Sequence, residues 1–302
     1  MKIADIISFL RDNDVDFNFF GNADEEIRGY SSLYRYKAGT FVWARDLATF
    51  LGRDTPEKEL FTLLITSYDN LETENILAKI MTKNPRSVFF LLVDHFWKET
   101  KECGIASSAI VKTGAELGKN VTIGDGCIIS GKTKIGDGTT LGCHVVTIGK
   151  VIIGSNCHIQ SGVVIGEDGM ALVKDNFFYQ PIPHYGGVTI GDRVYIGANS
   201  CICRGTIEDT VLGDDVKMDQ LCQVAHNTVV GDGTVMMAGT LLHGGVVIGE
   251  GSKLNSAIVK EQKVLGKNVV VGHGVAVTKR LPDNVIAQGN PISVVNREKS
   301  CL

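Results

Sequence analysis

The sequence predicts a mainly β chain: a parallel β-helix preceded by a small α/β domain. Two observations predict it, a six-residue spacing of aliphatic residues that begins at Ile105 and a change of composition close to residue 100. Residues 1–102 hold both tryptophans, Trp43 and Trp97, and most of the Phe and Tyr, whereas glycine is scarce there and abundant beyond.

Within 1–102, apolar residues at helical spacing in IADIISFL (3–10), EKELFTLLI (57–65) and RSVFFLLVDHFW (86–97) predict helices. YSSLYRY (30–36) and GTFVWA (39–44) read as short extended segments of a small sheet.

From residue 105 every sixth position reads Ile105, Val111, Leu117, Ile123, Ile129, Ile135, Leu141, Thr147, Ile153, Ile159 and Ile165. The spacing resumes at Ile190, Ile196 and Ile202, jumps by ten to Leu212, and continues from Met218 to Leu254. After a one-residue deletion it closes with Val259, Leu265, Val271 and Val277. One inward aliphatic per short strand, with three strands per coil, builds a triangular prism whose core is a stack of aliphatics. Three strands of six residues make a coil of 18. Glycines at 118, 124, 136, 142, 154 and 166 follow the inward residue, where a missing Cβ relieves a tight corner. The prism is expected over 103–292, with a short tail at 293–302.

The formal charge of −4 and the scattered Lys and Arg exclude a phosphate-tracking basic stripe, so nucleic acid is not an expected partner. MKIADIISFLRDNDVDF is too short in its apolar run for a signal segment, and no 18-residue apolar stretch follows. A cytoplasmic protein without a membrane span is expected. The eight cysteines do not form the dense framework of a small secreted domain, so reduced thiols are expected. Cys201-x-Cys203 lacks the further ligands of a zinc site, and no bound metal is expected.

Two segments interrupt the spacing. EDGMALVKDNFFYQPIPHYGG (167–187) is too long for a corner, and RGTIEDT (204–210) carries a four-residue excess. Loops on a rigid scaffold commonly carry binding groups.

His226, in QVAHNTVVGDG (223–233), follows the inward Val224 by two and therefore points outward. Residues 18 apart lie one coil above each other, about 4.7–4.9 Å away. Eighteen residues on is Gly244, within HGG. A general base beside a backbone N–H is the minimum equipment for acyl transfer: the imidazole takes a proton and the N–H supports the oxyanion. Outward histidines on such a face are also ordinary surface residues. His144, His158, His184, His243 and His273 compete for the role, and His243 stands next to Gly244.

SGVVIGEDGMAL (161–172) and the run GGVTIGDRVYIGANSCICRGTIEDTVLGDDVKMDQLCQVAHNTVVGDGTVMMAG (186–239) closely resemble the UDP-3-O-acylglucosamine N-acyltransferases of lipid A synthesis. IRGYSSLYRYKAGTFVWARD and KNPRSVFFLLVDHFW resemble the N-terminal nucleotide-recognition domain of that family. The resemblance implies a left-handed prism, a cytoplasmic homotrimer, and acyl transfer from a phosphopantetheine thioester to the amine of a nucleotide-linked sugar. No permanently bound cofactor is implied. The general base of the AHN motif falls on His226, the oxyanion donor on Gly244, and an orienting carboxylate on Asp219. Asn227 and His243 are expected to contact substrate and donor respectively.

The uracil pocket of the family matches at Phe41, with Ala44 and Leu47 where the family has Asn and Tyr, so a base is expected to stack on Phe41 or Trp43. VGHGVAVTKRLPDNVIAQGNPISVV resembles the last coil of coenzyme A-dependent sugar acetyltransferases, where Lys279 and Arg280 would meet the 3′-phosphate. The leading expectation is therefore N-acylation of a dTDP- or UDP-linked amino-dideoxysugar from acyl-CoA, for a surface glycan. The alternative is UDP-3-O-acylglucosamine with acyl carrier protein as donor. Remote alternatives are a γ-carbonic-anhydrase-like metal enzyme and a non-catalytic sugar-nucleotide-binding protein.

Overall fold

The computed structural model describes residues 1–46, 49, 60–67, 75–98, 104–175 and 178–289. The chain divides into two compact units, Met1–Lys101 and Glu102–Leu302.

The first unit holds helices α1 (Ile3–Asp12) and α2 (Pro85–Trp97) and strands β1 (Asn18–Gly21), β2 (Gly29–Tyr30), β3 (Thr40–Trp43), β4 (Leu63–Thr66) and β5 (Ala78–Met81). The sheet order is β1-β5-β4-β3-β2, with β1 antiparallel to β5 and the other pairs parallel. In α1 the buried residues Ile3, Ile6, Ile7 and Leu10 repeat at one helical face. The Asp5 carboxylate accepts the Lys2 N–H at 2.7 Å and closes the N-terminus of this helix. Pro85 opens α2, where its missing N–H costs nothing.

Two sequence expectations need correction here. LFTLLI is not helical: Leu63–Thr66 is a strand buried along its whole length, because its two faces enter separate cores, Leu63 and Ile65 in one and Leu64 in the other. A strand covered on both sides reads as a continuous apolar run and loses its period of two. Residues 57–59 of that stretch lie outside the described residues. YSSLYRY is extended only at its start, since Leu33–Arg35 forms a 3₁₀ turn.

The second unit is a left-handed parallel β-helix. Its strands stack in three parallel sheets of eight, nine and nine strands. The register runs Ile202, Val224, Leu242, Val259 from coil to coil, and all four are buried. A second inward position lies two residues before many of the aliphatic markers, as at Val121, Cys127, Cys157 and Cys222. Burial pushes the thiols of these three cysteines up. Thr147, the one non-aliphatic marker of the first run, is also buried; its hydroxyl accepts the Ser130 N–H at 2.9 Å and lies 2.8 Å from the Thr133 hydroxyl.

The corner glycines 118, 124, 136, 142 and 154 serve closeness rather than conformation, whereas Gly166 has a φ of 93°. A Cβ on Gly124 would come within 2.7 Å of the Gly142 backbone on the next coil. The conformational demand falls two residues later, where Asn156, Asn199 and Asn227 adopt φ of 56°, 57° and 58°. Asn is among the few side chains that enter this left-handed region at low cost.

Candidate active site

His226 stands at the corner that follows the strand Gln223–Val224. At other corners the corresponding N–H is capped by a side chain one coil on: Lys119 by Asp137 at 2.7 Å, Asp192 by Asp214 at 2.8 Å, Asp214 by Asp232 at 2.9 Å. At His226 the residue above is Gly244, which has no side chain to offer. The imidazole occupies that space instead: a Cβ on Gly244 would lie 2.6 Å from its Cε1 and 2.7 Å from its Nε2.

The residue above Gly244 is Glu261, since Leu242 pairs with Val259. Its carboxylate lies 3.8 Å from the His243 ring and 3.5 Å from the Lys260 ammonium. A hydrogen bond from its own N–H holds that carboxylate below its usual value. Among the described residues the Gly244 N–H has no hydrogen-bond acceptor. A free donor and an imidazole therefore share one corner of two adjacent coils.

The two interruptions of the repeat converge on this corner. The longer one folds into an antiparallel hairpin, Leu172–Asp175 with Phe178–Pro181. Its return end is tied to the shorter one, the Tyr185 N–H donating to the Thr206 carbonyl at 2.8 Å and the Gly186 N–H to that of Gly205 at 3.0 Å. Thr206 then donates its N–H and hydroxyl to Asn227 Oδ1, at 3.1 and 2.9 Å. His226 Nδ1 lies 3.0 Å from the same oxygen. A backbone N–H can only donate, so Thr206 identifies the amide oxygen as an acceptor and Nδ1 as the nitrogen that carries the hydrogen. In the neutral ring it is then Nε2, on the side of Gly244, that keeps the lone pair. That is the tautomer a general base requires.

Asp209 fastens the base of the same assembly, accepting from Lys150 at 2.8 Å, the Gly187 N–H at 2.8 Å and the Thr189 hydroxyl at 2.9 Å. Burial alone would push its carboxyl up; the hydrogen bonds from Lys150, Gly187 and Thr189 outweigh it and hold the carboxyl below its usual value.

A second histidine joins the site. His184, only 5% exposed, sets its ring perpendicular to that of His226 with centroids 5.4 Å apart. Sequence reasoning left it among five competitors, because it lies in an excursion that has no period. The one signal available was its place near the end of the long interruption.

Residues 132–167 match the family described as bacterial transferase hexapeptide (six repeats), and 187–218 match the hexapeptide repeat of succinyl-transferase. A UDP-3-O-acylglucosamine N-acyltransferase of Delftia acidovorans is 38% identical over 217 residues, 70% of this chain and 64% of that protein. One from Pseudomonas fluorescens is 49% identical over 86 residues, 28% of this chain and 24% of that protein. The chain thus spans less than two thirds of the length of either relative. Among solved structures, a Francisella novicida UDP-N-acetylglucosamine acyltransferase superimposes with a TM-score of 0.57 at 25% identity, over 61% of this chain and 66% of that one. This chain is a hexapeptide-repeat protein similar to the UDP-3-O-acylglucosamine N-acyltransferases.

Other expected site residues of this hexapeptide-repeat protein are placed less centrally. Asn227 turns its carboxamide oxygen to Thr206 and His226, which makes it a support of the His226 ring. Asp219 stands at the preceding corner, where its carboxylate accepts the Gln220 N–H at 2.8 Å. One short strand separates it from His226 within the chain. His243 is half exposed and faces Glu261. Lys279 and Arg280 are exposed and form no ion pair among the described residues.

In the N-terminal unit Phe41 cannot present a face to a base, because it is fully buried in the core with Phe89 and Trp97 at ring distances of 5.0 and 5.4 Å. Its register partner Tyr30 is 47% exposed. Ala44 is buried, Trp43 is half-buried at the edge of that core, and Leu47 lies outside the described residues. No group of three or more His, Cys, Asp or Glu side chains among the described residues is arranged to hold a metal ion. No described helix is long and apolar enough to cross a membrane.

Proposed function

We propose that this protein is an N-acyltransferase that transfers an acyl group from a phosphopantetheine thioester to the amine of a UDP-linked, 3-O-acylated glucosamine. The observation that carries the reading is the placement of His226 Nε2 beside an unclaimed Gly244 N–H on adjacent coils. The amine attacks the thioester carbonyl carbon, a C–N bond forms, and His226 Nε2 accepts the proton that the nitrogen loses. The Gly244 N–H stabilises the tetrahedral oxyanion. Collapse breaks the C–S bond, and the imidazolium returns its proton to the departing thiolate. No covalent intermediate with the protein is needed.

The relatives shift the choice of acceptor. Similarity over 70% of the chain to a UDP-3-O-acylglucosamine N-acyltransferase favours the 3-O-acylated sugar over the amino-dideoxysugar that the last coil suggested. The acyl donor is acyl carrier protein or acyl-CoA. Incubating the purified protein with each acceptor and each donor, and weighing the products, tests the proposal. N-acylation of UDP-3-O-acylglucosamine supports it, and turnover confined to an amino-dideoxysugar nucleotide overturns it.

Base recognition falls to Tyr30 in this reading, the exposed aromatic beside buried Phe41. The working form is a cytoplasmic homotrimer. Supporting a trimer, one prism face carries an outward ladder of Ile110, Ile128, Val146 and Val164 on its lower coils and Leu241 and Ile258 higher up. Ile110, Ile128 and Ile258 are exposed in a single chain. Covering such a ladder is a strong drive to association.

A further inference from the structure

His184 is held by the loop in one state. Its Nδ1 lies 2.8 Å from the Ile182 carbonyl oxygen, which can only accept, so Nδ1 carries the hydrogen. In the neutral ring Nε2 is then the acceptor, and it is buried without a partner. An orphaned buried acceptor is destabilising and is rarely kept without use. The Nε2 vertex lies close to His226, for a Cβ on Gly169 would be 3.3 Å from it and 2.9 Å from His226 Cδ2. Gly169 thus leaves the two rings nothing thicker than backbone between them at that point.

We propose that His184 is a positioning residue for His226: a neutral imidazole that braces the ring of the base edge to face and turns the negative end of its own dipole toward it, favouring the imidazolium formed when His226 takes a proton. The inference rests on the reading of His226 as a general base. A neutral ring oriented in this way stabilises charge that develops during the reaction without introducing a competing charge beforehand.

Most of the surrounding charged groups are paired with one another. The loop brings Asp168, which lies 3.2 Å from Arg204. The shorter interruption brings Glu208 and Asp209, and Asp209 is bound by Lys150 at 2.8 Å. The coil above brings His243, 3.8 Å from Glu261. Among the described residues none of these forms an ion pair with His226.

The experiment follows the His226 ring by NMR in histidine-labelled protein, its signals assigned by their loss in His226→Gln. It compares the parent with His184→Phe, which keeps a packed ring without the dipole, and with His184→Gln, which keeps a neutral acceptor. Where acyl transfer is measurable, kcat/KM is recorded against pH in parallel. The expected result is that His184→Phe moves the His226 titration to lower pH by roughly half a unit, within the spread of about one unit that surroundings give histidines in proteins. The acid limb of kcat/KM moves with it, and His184→Gln restores much of the difference. An unchanged His226 titration in both variants overturns the proposal and leaves His184 as packing. Should the Phe variant not fold, His184→Met fills the space without a ring dipole and is read the same way. If no variant and no parent shows turnover, the acyl-transfer reading fails, while the NMR titration still decides the role of His184.

Discussion

Gly244 and His226 occupy the same place on adjacent coils, so that a β-carbon on the glycine would stand 2.6 Å from Cε1 of the imidazole. A side chain at Gly244 would forbid this closeness. Gly244→Ala is therefore expected to swing the ring off the donor while leaving the prism intact, because the aliphatic stack beneath is untouched. Acyl transfer should fall by about 10²-fold or more, the scale of losing an oxyanion donor. Steady-state kinetics beside a thermal melt checks this, with the melting temperature expected to stay close to that of the parent.

Asn227 answers two demands at once, a left-handed backbone with φ of 58° and an amide oxygen for Thr206 and His226. Two variants separate them. Asn227→Gly keeps the backbone at ease and removes the oxygen, so activity should drop with a modest loss of stability. Asn227→Ala adds backbone strain of about 1–2 kcal/mol. Denaturant unfolding should rank the Ala variant below the Gly variant, although Gly is ordinarily the more flexible residue.

This double duty shows what was legible in the chain and what was not. The 18-residue register placed Gly244 over His226 because a parallel β-helix converts sequence separation directly into height. His184 escaped the same reasoning, since the 167–187 excursion has no register, and its position depends on backbone bonds to Thr206 and Gly205. Phe41 is ambiguous in the sequence for the opposite reason. An aromatic in an alternating strand can face either way, and only α2, packing Phe89 and Trp97 over it, decides that it is buried. LFTLLI lost its strand signature because both faces are covered.

Asp209 links the base of the loop to stability at low pH. Its carboxyl is held below the ordinary aspartate value of 3.8 in the folded protein. Its contribution is therefore complete above that value and is lost as the pH falls through the folded value. Asp209→Asn should be less stable than the parent at pH 7, and the gap should narrow as the pH drops through 3.8 and below. Chemical unfolding at a series of pH values measures the gap.

Among the described residues Cys201 is the thiol expected to react first. A hydrogen bond from the Cys203 thiol holds it below the usual thiol value, while Cys203 itself is pushed up. Thiolates are the reactive species, so alkylation of Cys201 should reach half its limiting rate at a lower pH than that of an ordinary thiol. Peptide mapping after iodoacetamide treatment reports it, and Cys203→Ala should move the profile toward higher pH.

The role of His226 as the base is tested most directly by replacing it with Gln, which fills similar space but cannot take a proton, and measuring acyl transfer to UDP-3-O-acylglucosamine. The account predicts that kcat falls by about 10²–10⁴-fold, the scale of general-base catalysis, with KM for both substrates nearly unchanged. A His226→Gln protein that keeps kcat within twofold of the parent would contradict it.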